Sequence, residues 1–251
     1  MTTISDRVLA HPESLSILTI ESLVQKDSSI LIVAPHPDDE TLGCGGAIAL
    51  CSQKIPVAVL VVSDGTRSHP NSLAYPPLAL KKLRERESLA ALAILGVSPE
   101  AVTFLGLPDG AVDISSKSPQ LIDRCRQYLS DLGPSMIFLP WRNDPHKDHR
   151  ASWQLLTTAM SDLASLPRII EYPIWDWDIK QRGSFSGSID AWRLDISNVL
   201  ELKKHAIAQY RSQISNLIDD DPEGFRLTPQ ILQNFTHPWE IYLEGKIQPF
   251  S

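Results

Sequence analysis

The chain has 251 residues and a formal net charge of −7, with 23 Lys and Arg set against 30 Asp and Glu. That balance gives no global positive field to gather nucleic acid or anionic lipid, which argues against both as partners. Apolar residues make up 43% and charged residues 21%, a mixture that excludes a disordered chain and leaves a globular protein with room for a substantial core.

The three cysteines, Cys44, Cys51 and Cys125, are odd in number and show no Cys-x-x-Cys spacing. They fit neither a disulfide framework nor a thiolate zinc finger, so a reducing, cytoplasmic setting is expected. The first residues, MTTISDRVLAHPES, lack the basic start and apolar run of a signal peptide, and no apolar stretch approaches the roughly 18 residues of a spanning helix. Membrane insertion is not expected.

Taken in chain order, Ser29 to Ala34 is a short β-branched apolar run that reads as a strand buried on both faces. It leads into Pro-His-Pro-Asp-Asp-Glu and a Gly/Ala-rich helix to about Gln53, and Val57 to Val62 reads as a second strand. Pro77 to Leu95 reads as a helix ended by Gly96. A strand at Val102 to Leu105, a helix around Gln120 to Leu132 and a strand at Met136 to Leu139 follow. Beyond the loop Pro-Trp-Arg-Asn-Asp-Pro-His-Lys-Asp-His, a helix runs to about Ser161 and a strand spans Arg168 to Tyr172. An irregular aromatic stretch comes next, then a strand near Ala191 to Ile196 and a helix from Ser197 to Ser212. Leu217 to Gln230, with Asp219 to Asp221, Pro222, Gly224 and Pro229, reads as a surface loop before a short last element. Strands alternating with helices imply an α/β fold with a mainly parallel sheet covered on both faces, whose chemistry sits at the carboxyl ends of the strands. No repeat or linker divides the chain, so one domain over 1–251 is expected, with a core of about 29–213 and a tail of 214–251 that packs on it or extends it.

Two polar clusters occupy such strand ends. In Pro35-His36-Pro37-Asp38-Asp39-Glu40, a helix starting just after Pro37 lets His36 and Asp39 face one point, with Asp38 beside it. An imidazole and a carboxylate suit Zn²⁺, and a second carboxylate can take a proton from water. In Asp144-Pro145-His146-Lys147-Asp148-His149, one of the two histidines can ligate metal while the other reaches the substrate, and Asp148 can orient an imidazole through its ring N–H. Together the loops supply the three protein ligands of a catalytic zinc and leave a fourth position open. Gly43-Cys44-Gly45-Gly46 does not make a phosphate loop, because the third small residue of that pattern is missing and carboxylates crowd the turn. These glycines instead permit close approach of the helix to the sheet, with Cys44 and Cys51 in the core.

These motifs resemble those of the LmbE-like, PIG-L type N-acetylglucosaminyl deacetylase superfamily. The likeness extends to Arg84-Glu85-Arg86-Glu87 with Ala91 and Leu95-Gly96, to Leu107-Pro108-Asp109-Gly110, and to Tyr210-Arg211-Ser212-Gln213, so it covers about 29–213. The resemblance implies a Rossmann-like α/β fold and Zn²⁺, or another divalent metal, held by His36, Asp39 and His149. It implies Asp38 as general base on water and His146 as the group that stabilises the oxyanion or protonates the leaving amine, with Asp148 tuning it. Arg84 and Asp109 would contact sugar hydroxyls. Outside the family, Arg84 reads as a solvated helix charge paired with Glu87, and Asp109 as a turn residue.

The chain departs from the family at Ser63–Ser72, where sugar deacetylases of this type commonly carry Gly-Glu-x-Gly. That loop should line the pocket, and its His69 is expected to be solvated. Trp175, Trp177, Trp192 and Trp239 read as core or interface residues rather than sugar platforms, and Asp219 to Asp221 as a solvated turn rather than a calcium site. The resulting expectation is a zinc-dependent hydrolase that removes an acetyl or other acyl group from an N-acetylated amino sugar or its conjugate. Its partner would be a small-molecule N-acetyl sugar or acylated amine, with self-association left open. The alternatives are a metallohydrolase acting on a non-sugar acyl amide and a non-catalytic sugar-binding module of the same fold.

Overall fold

The computed structural model describes residues 8–9, 11–25, 27–177 and 189–245. Eight strands, β1 (Ser16–Leu18), β2 (Ile30–Ala34), β3 (Val57–Ser63), β4 (Val102–Leu107), β5 (Met136–Pro140), β6 (Arg168–Tyr172), β7 (Ile189–Asp195) and β8 (Trp239–Gly245), form one sheet. Their order is β1-β7-β8-β6-β5-β2-β3-β4. Every pairing is parallel except those that β8 makes with β6 and β7. The mainly parallel α/β expectation holds, and the tail extends the sheet from within: β8 lies between two strands made earlier in the chain.

The central strands β2, β3 and β5 are buried along their whole length, as continuous apolar runs between two helical layers must be. On one face lies α1 (Asp39–Cys51), itself wholly buried; on the other, α2 (Pro119–Leu132) and α3 (Lys147–Met160) pack together over the second apolar cluster. The glycines of α1 serve the expected close approach: a Cβ at Gly43 would fall 2.2 Å from a ring carbon of Tyr172, and one at Gly46 2.4 Å from Cγ2 of Ile196. Where α1 comes nearest to β8, Glu240 accepts the backbone N–H of Gly46 at 2.7 Å and of Ala47 at 2.9 Å, and the buried Lys203 ammonium closes the group at 2.7 Å. Cys44, Cys51 and Cys125 are free and buried.

Three expectations need correction. The helix expected over Ser197 to Ser212 is two pieces, Leu200–Ile207 and Arg211–Ile214, broken where the buried Tyr210 turns its hydroxyl onto Glu40 and Thr41. The aspartate run is only in part a solvated turn: Asp219 and Asp220 are exposed, but Asp221 is fully buried and accepts the N–H of Asn71 at 2.8 Å, and Asp220 accepts from Ser72 Oγ and from the N–H groups of Leu73 and Ala74. His69 is buried rather than solvated, packed so closely on Gly224 that a Cβ there would lie 2.1 Å from its ring. Part of the aromatic stretch, residues 178–188, lies outside the described residues. No described helix is long and apolar enough to cross a membrane.

Candidate active site

The carboxyl ends of β2, β3, β4 and β5 open onto one cavity of about 470 Å³, a volume that suits a small-molecule ligand. Four loops reach it. After β2 the chain passes through Pro35 and His36 to Asp38, whose φ of 136° lies in the left-handed region that favours glycine. Such strain costs on the order of 1–3 kcal/mol and persists only where surrounding contacts enforce it. Here they do: the Asp38 N–H donates to Glu40 Oε2 at 3.0 Å, and its carboxylate accepts from Arg84 Nη2 at 3.1 Å. Arg84, on the helix Pro77–Ile94, also donates to the carbonyls of Gly65 and Pro37 at 2.9 and 2.7 Å.

At the start of α1, Asp39 Oδ2 accepts the His36 N–H at 2.9 Å. The same oxygen lies 3.2 Å from Nδ1 of His36 and 3.2 Å from Nε2 of His149. His149, in the first turn of α3, has its other nitrogen 3.3 Å from Asp144 Oδ2. Ring nitrogens of His36, His146 and His149 come within 4.8 Å of one another, and His36, Asp109 and Asp148 form a second such group. His149 is fully buried, yet neither ring nitrogen has an aligned hydrogen bond. An orphaned ring nitrogen of His149 and a ring nitrogen of His36, hydrogen-bonded to the same Asp39 oxygen, converge on one carboxylate, a donor set that can hold a metal.

The charges agree. Burial opposes protonation of His36, but Asp109, Asp148 and Asp39 outweigh it and push its pKa up. Burial likewise lowers His149, while Asp144 and Asp39 raise it to about 9. Burial would raise Asp39, yet His149 and His36 hold it well below the carboxylate range. The loops therefore concentrate negative field on a group that could hold a cation. Asp38 differs from its neighbour: burial drives it up to about 8, with Arg84 opposing and Asp39 and Glu40 adding.

His146 runs against expectation. Protonating a leaving amine would call for an imidazolium, but burial and the charges of His149 and His36 lower its pKa to about 4. Nor does the Asp148 side chain orient its ring. The Asp148 carboxylate instead accepts the Gly110 N–H at 2.7 Å and sits 3.5 Å from His36 Nε2, while the Asp148 backbone N–H donates to His146 Nδ1. Asp109 also faces His36, at 3.3 Å, and takes the Arg67 N–H on its other oxygen.

Of the residues singled out in the sequence, His36, Asp38, Asp39, Arg84, Asp109 and His146 line the cavity, with His149 and Asp148 buried behind them. Arg84 is 3% exposed, not a solvated helix charge, and Glu87 pairs with Ser212 instead. Trp175 packs against the apolar core, as expected, and also lines the cavity. Sequence reasoning missed Asp144, which braces His149 and accepts the His146 N–H at 2.8 Å; its place two residues before a histidine was the available signal. The expected lining by the Ser63–Ser72 loop holds through Arg67 and Ser68, whereas the place of Gln213 in the lining was missed.

The PIG-L family, described as GlcNAc-PI de-N-acetylase, matches residues 31–160, the segment holding both loops that carry the cavity's histidines. The chain belongs to the PIG-L family. Among its PIG-L relatives is a probable N-acetyl-alpha-D-glucosaminyl L-malate deacetylase 2 of Bacillus subtilis, 27% identical over 220 residues, 85% of this chain and 95% of that protein. The N,N'-diacetylchitobiose deacetylase of Pyrococcus horikoshii superposes with a TM-score of 0.58 at 24% identity, over 88% of this chain and 84% of its own. The 4-carboxy-2-hydroxymuconate hydratase of Pseudomonas putida superposes with a TM-score of 0.61 at 19% identity, over 89% and 98% of the two chains. Both structures share the fold, and their different reactions show that the fold alone does not decide the chemistry.

Proposed function

We propose that this chain is a zinc-dependent hydrolase that removes an acetyl group from an N-acetylated amino sugar or its conjugate. The observation that carries the reading is the position of Asp39 Oδ2, 3.2 Å from a ring nitrogen of each of His36 and His149, with the adjacent Asp38 engaged by Arg84 instead. His36, Asp39 and His149 are the ligand set, and two imidazoles with one carboxylate suit zinc better than a hard, all-oxygen cation. A zinc ion held by these residues would supply Lewis acidity toward the acyl group and make a water easier to deprotonate.

The chain's own residues supply the rest. Asp38 is the general base: it takes a proton from the attacking water and delivers it to the departing amine. Arg84 is a positioning residue for Asp38, held by two carbonyls so that its third contact stays on the carboxylate. His146, neutral with Nδ1 occupied by the Asp148 N–H, carries its proton on Nε2 and donates it as a hydrogen bond to the carbonyl oxygen as negative charge develops. Asp109 and Gly110 complete the rim, where Asp109, besides its contacts with His36 and the Arg67 N–H, can accept a sugar hydroxyl on a remaining lone pair. Acetate and a free amine leave. The relatives that act on N-acetylglucosaminyl conjugates support the substrate class, and the unpaired cysteines support a cytoplasmic setting.

The test is elemental analysis of the purified protein followed by acetate release across N-acetyl sugars and non-sugar acylated amines. About one zinc per chain and acetate from N-acetylglucosaminides support the reading. Acetate from non-sugar amides alone makes it another acyl amidase, and metal without acetate from any amide removes the deacetylase assignment.

A further inference from the structure

Arg67 stands apart from the other charged groups of the cavity. It follows Asp64-Gly65-Thr66 in the loop after β3, lines the cavity and is exposed. Its backbone N–H is committed to Asp109, but among the described residues its guanidinium makes no hydrogen bond or ion pair. The neighbouring carboxylates are already engaged. Asp64 Oδ1 accepts from Thr66 N and Oγ1 and from Asp109 N, while Asp109 divides its oxygens between His36 and the Arg67 N–H. The cavity's other guanidinium, Arg84, is taken up by Pro37, Gly65 and Asp38. Arg67 is thus the cation in the described lining that lacks a protein counter-charge.

Its position is built. The side chain lies across Gly110, where a Cβ would come 2.7 Å from Nη1 and 2.8 Å from Cδ, and where φ is +73°. A larger residue at 110 would push the guanidinium off the rim. The supporting loop is tied down by Asp220 and Asp221 and by the Phe225 N–H on the Ser68 carbonyl. The rest of the lining includes an aromatic and aliphatic wall, with Trp175 edge-on to Phe225 at 5.7 Å and Leu227 beside them.

We infer that Arg67 is a specificity residue that binds an oxyanion, a carboxylate or a phosphate, carried by the aglycone of the substrate. This rests on the deacetylase reading of the same cavity. A guanidinium offers a planar fork of donors that matches either oxyanion in a bidentate manner. An anionic substrate also needs such a group here, because Asp38, Asp39 and Asp109 in the lining and a net charge of −7 would otherwise repel it.

Three N-acetylglucosaminides that differ only in the aglycone test the inference: the methyl glycoside, the carboxymethyl glycoside and the 1-phosphate. Wild-type holoenzyme should prefer at least one anion over the methyl glycoside in kcat/KM. R67Q should cut that preference about 10- to 100-fold, mainly through KM, with zinc content and thermal midpoint matching the wild type. R67K should keep more of the preference for a phosphate than for a carboxylate, and the better anion identifies the group recognised. No preference in the wild type, or an equal loss on all three substrates in R67Q, overturns the inference. Should no glycoside be hydrolysed, the deacetylase reading fails by itself. Calorimetric binding of the same two anionic glycosides to zinc-loaded wild type and R67Q then decides: weaker binding to R67Q supports the inference, and equal or absent binding to both overturns it.

Discussion

The backbone N–H of Asp148 donates to Nδ1 of His146 across 3.2 Å. A neutral ring that accepts at Nδ1 must carry its proton at Nε2, which makes His146 a donor at that nitrogen and not a metal ligand there. His146→Ala should therefore lower kcat about 100-fold or more, the usual cost of losing an oxyanion donor, with zinc retained by elemental analysis. Because burial and the charges of His149 and His36 hold the ring's pKa at about 4, the alkaline limb of the rate profile should be the same in variant and wild type. A limb that vanished with His146 would restore the imidazolium.

Neighbouring aspartates should separate cleanly. Asp38→Asn is expected to keep zinc and lose about 100-fold or more in turnover, since an amide cannot take the proton. Asp39→Asn and His149→Ala should lose zinc in chelator competition. Zinc held as tightly by His149→Ala as by wild type would remove His149 from the ligand set.

The backbone at Asp38 can be weighed apart from its carboxylate. Both Asp38→Gly and Asp38→Ala delete the acid, but only glycine relaxes at a φ of 136°. The glycine variant should be the more stable by about 1–3 kcal/mol in denaturant melts, reversing the usual advantage of alanine. Alanine equal to or better than glycine would mean that the conformation carries no strain.

Arg84 opposes the burial that raises the Asp38 pKa. In Arg84→Met that opposition is gone, so the acid limb of kcat/KM should move to higher pH. Activity must fall as pH drops through the Asp38 pKa, because the base works only when ionised. An unmoved limb in a folded, zinc-loaded variant would separate Arg84 from Asp38.

Metal-stripped protein should show its own pH dependence. His149 is raised to about 9 by Asp144 and Asp39, against its burial. A histidine raised on folding contributes stability that is complete below its unfolded pKa of about 6.5 and lost as pH climbs through the folded value. The thermal midpoint of chelator-treated protein should fall between about pH 6.5 and pH 9, while zinc-loaded protein, with a cation in place of those protons, should fall less. Parallel curves for the two forms would contradict it.

Much of this was readable in the chain. The strands at Ile30–Ala34, Val57–Ser63 and Met136–Pro140 carry unbroken apolar runs that only a doubly covered sheet explains, and the two metal-site loops follow two of them directly. What escaped reading depends on long-range partners. Nothing local marks Trp239–Gly245 as an internal antiparallel strand, because its neighbours β6 and β7 are distant in sequence. Arg84 looks like a surface charge until Pro37 and Gly65 are brought to it. Asp221 looks solvated until the loop at Asn71 to Ala74 arrives and buries it. For His146, the motif gave the residue but not its protonation, which is lowered first by burial and then by His149 and His36 crowding it at ring-centroid distances of 5.2 and 4.8 Å.

The place of β8 bears on how the molecule is made. A ribosome delivers β1 and β7 before β8, yet those two strands join the rest of the sheet only through it. Until residues 239–245 emerge, the nascent chain can assemble the half containing the metal-site loops while the β1–β7 ribbon waits with an unpaired edge, the kind of edge that recruits other chains. Glu240 then does more than close the sheet: by capturing the N–H groups of Gly46 and Ala47 it ties down α1, which carries Asp39, only after the rest of the sheet has been made. A chaperone or a slow stretch of translation over this interval would protect yield without touching any residue of the cavity.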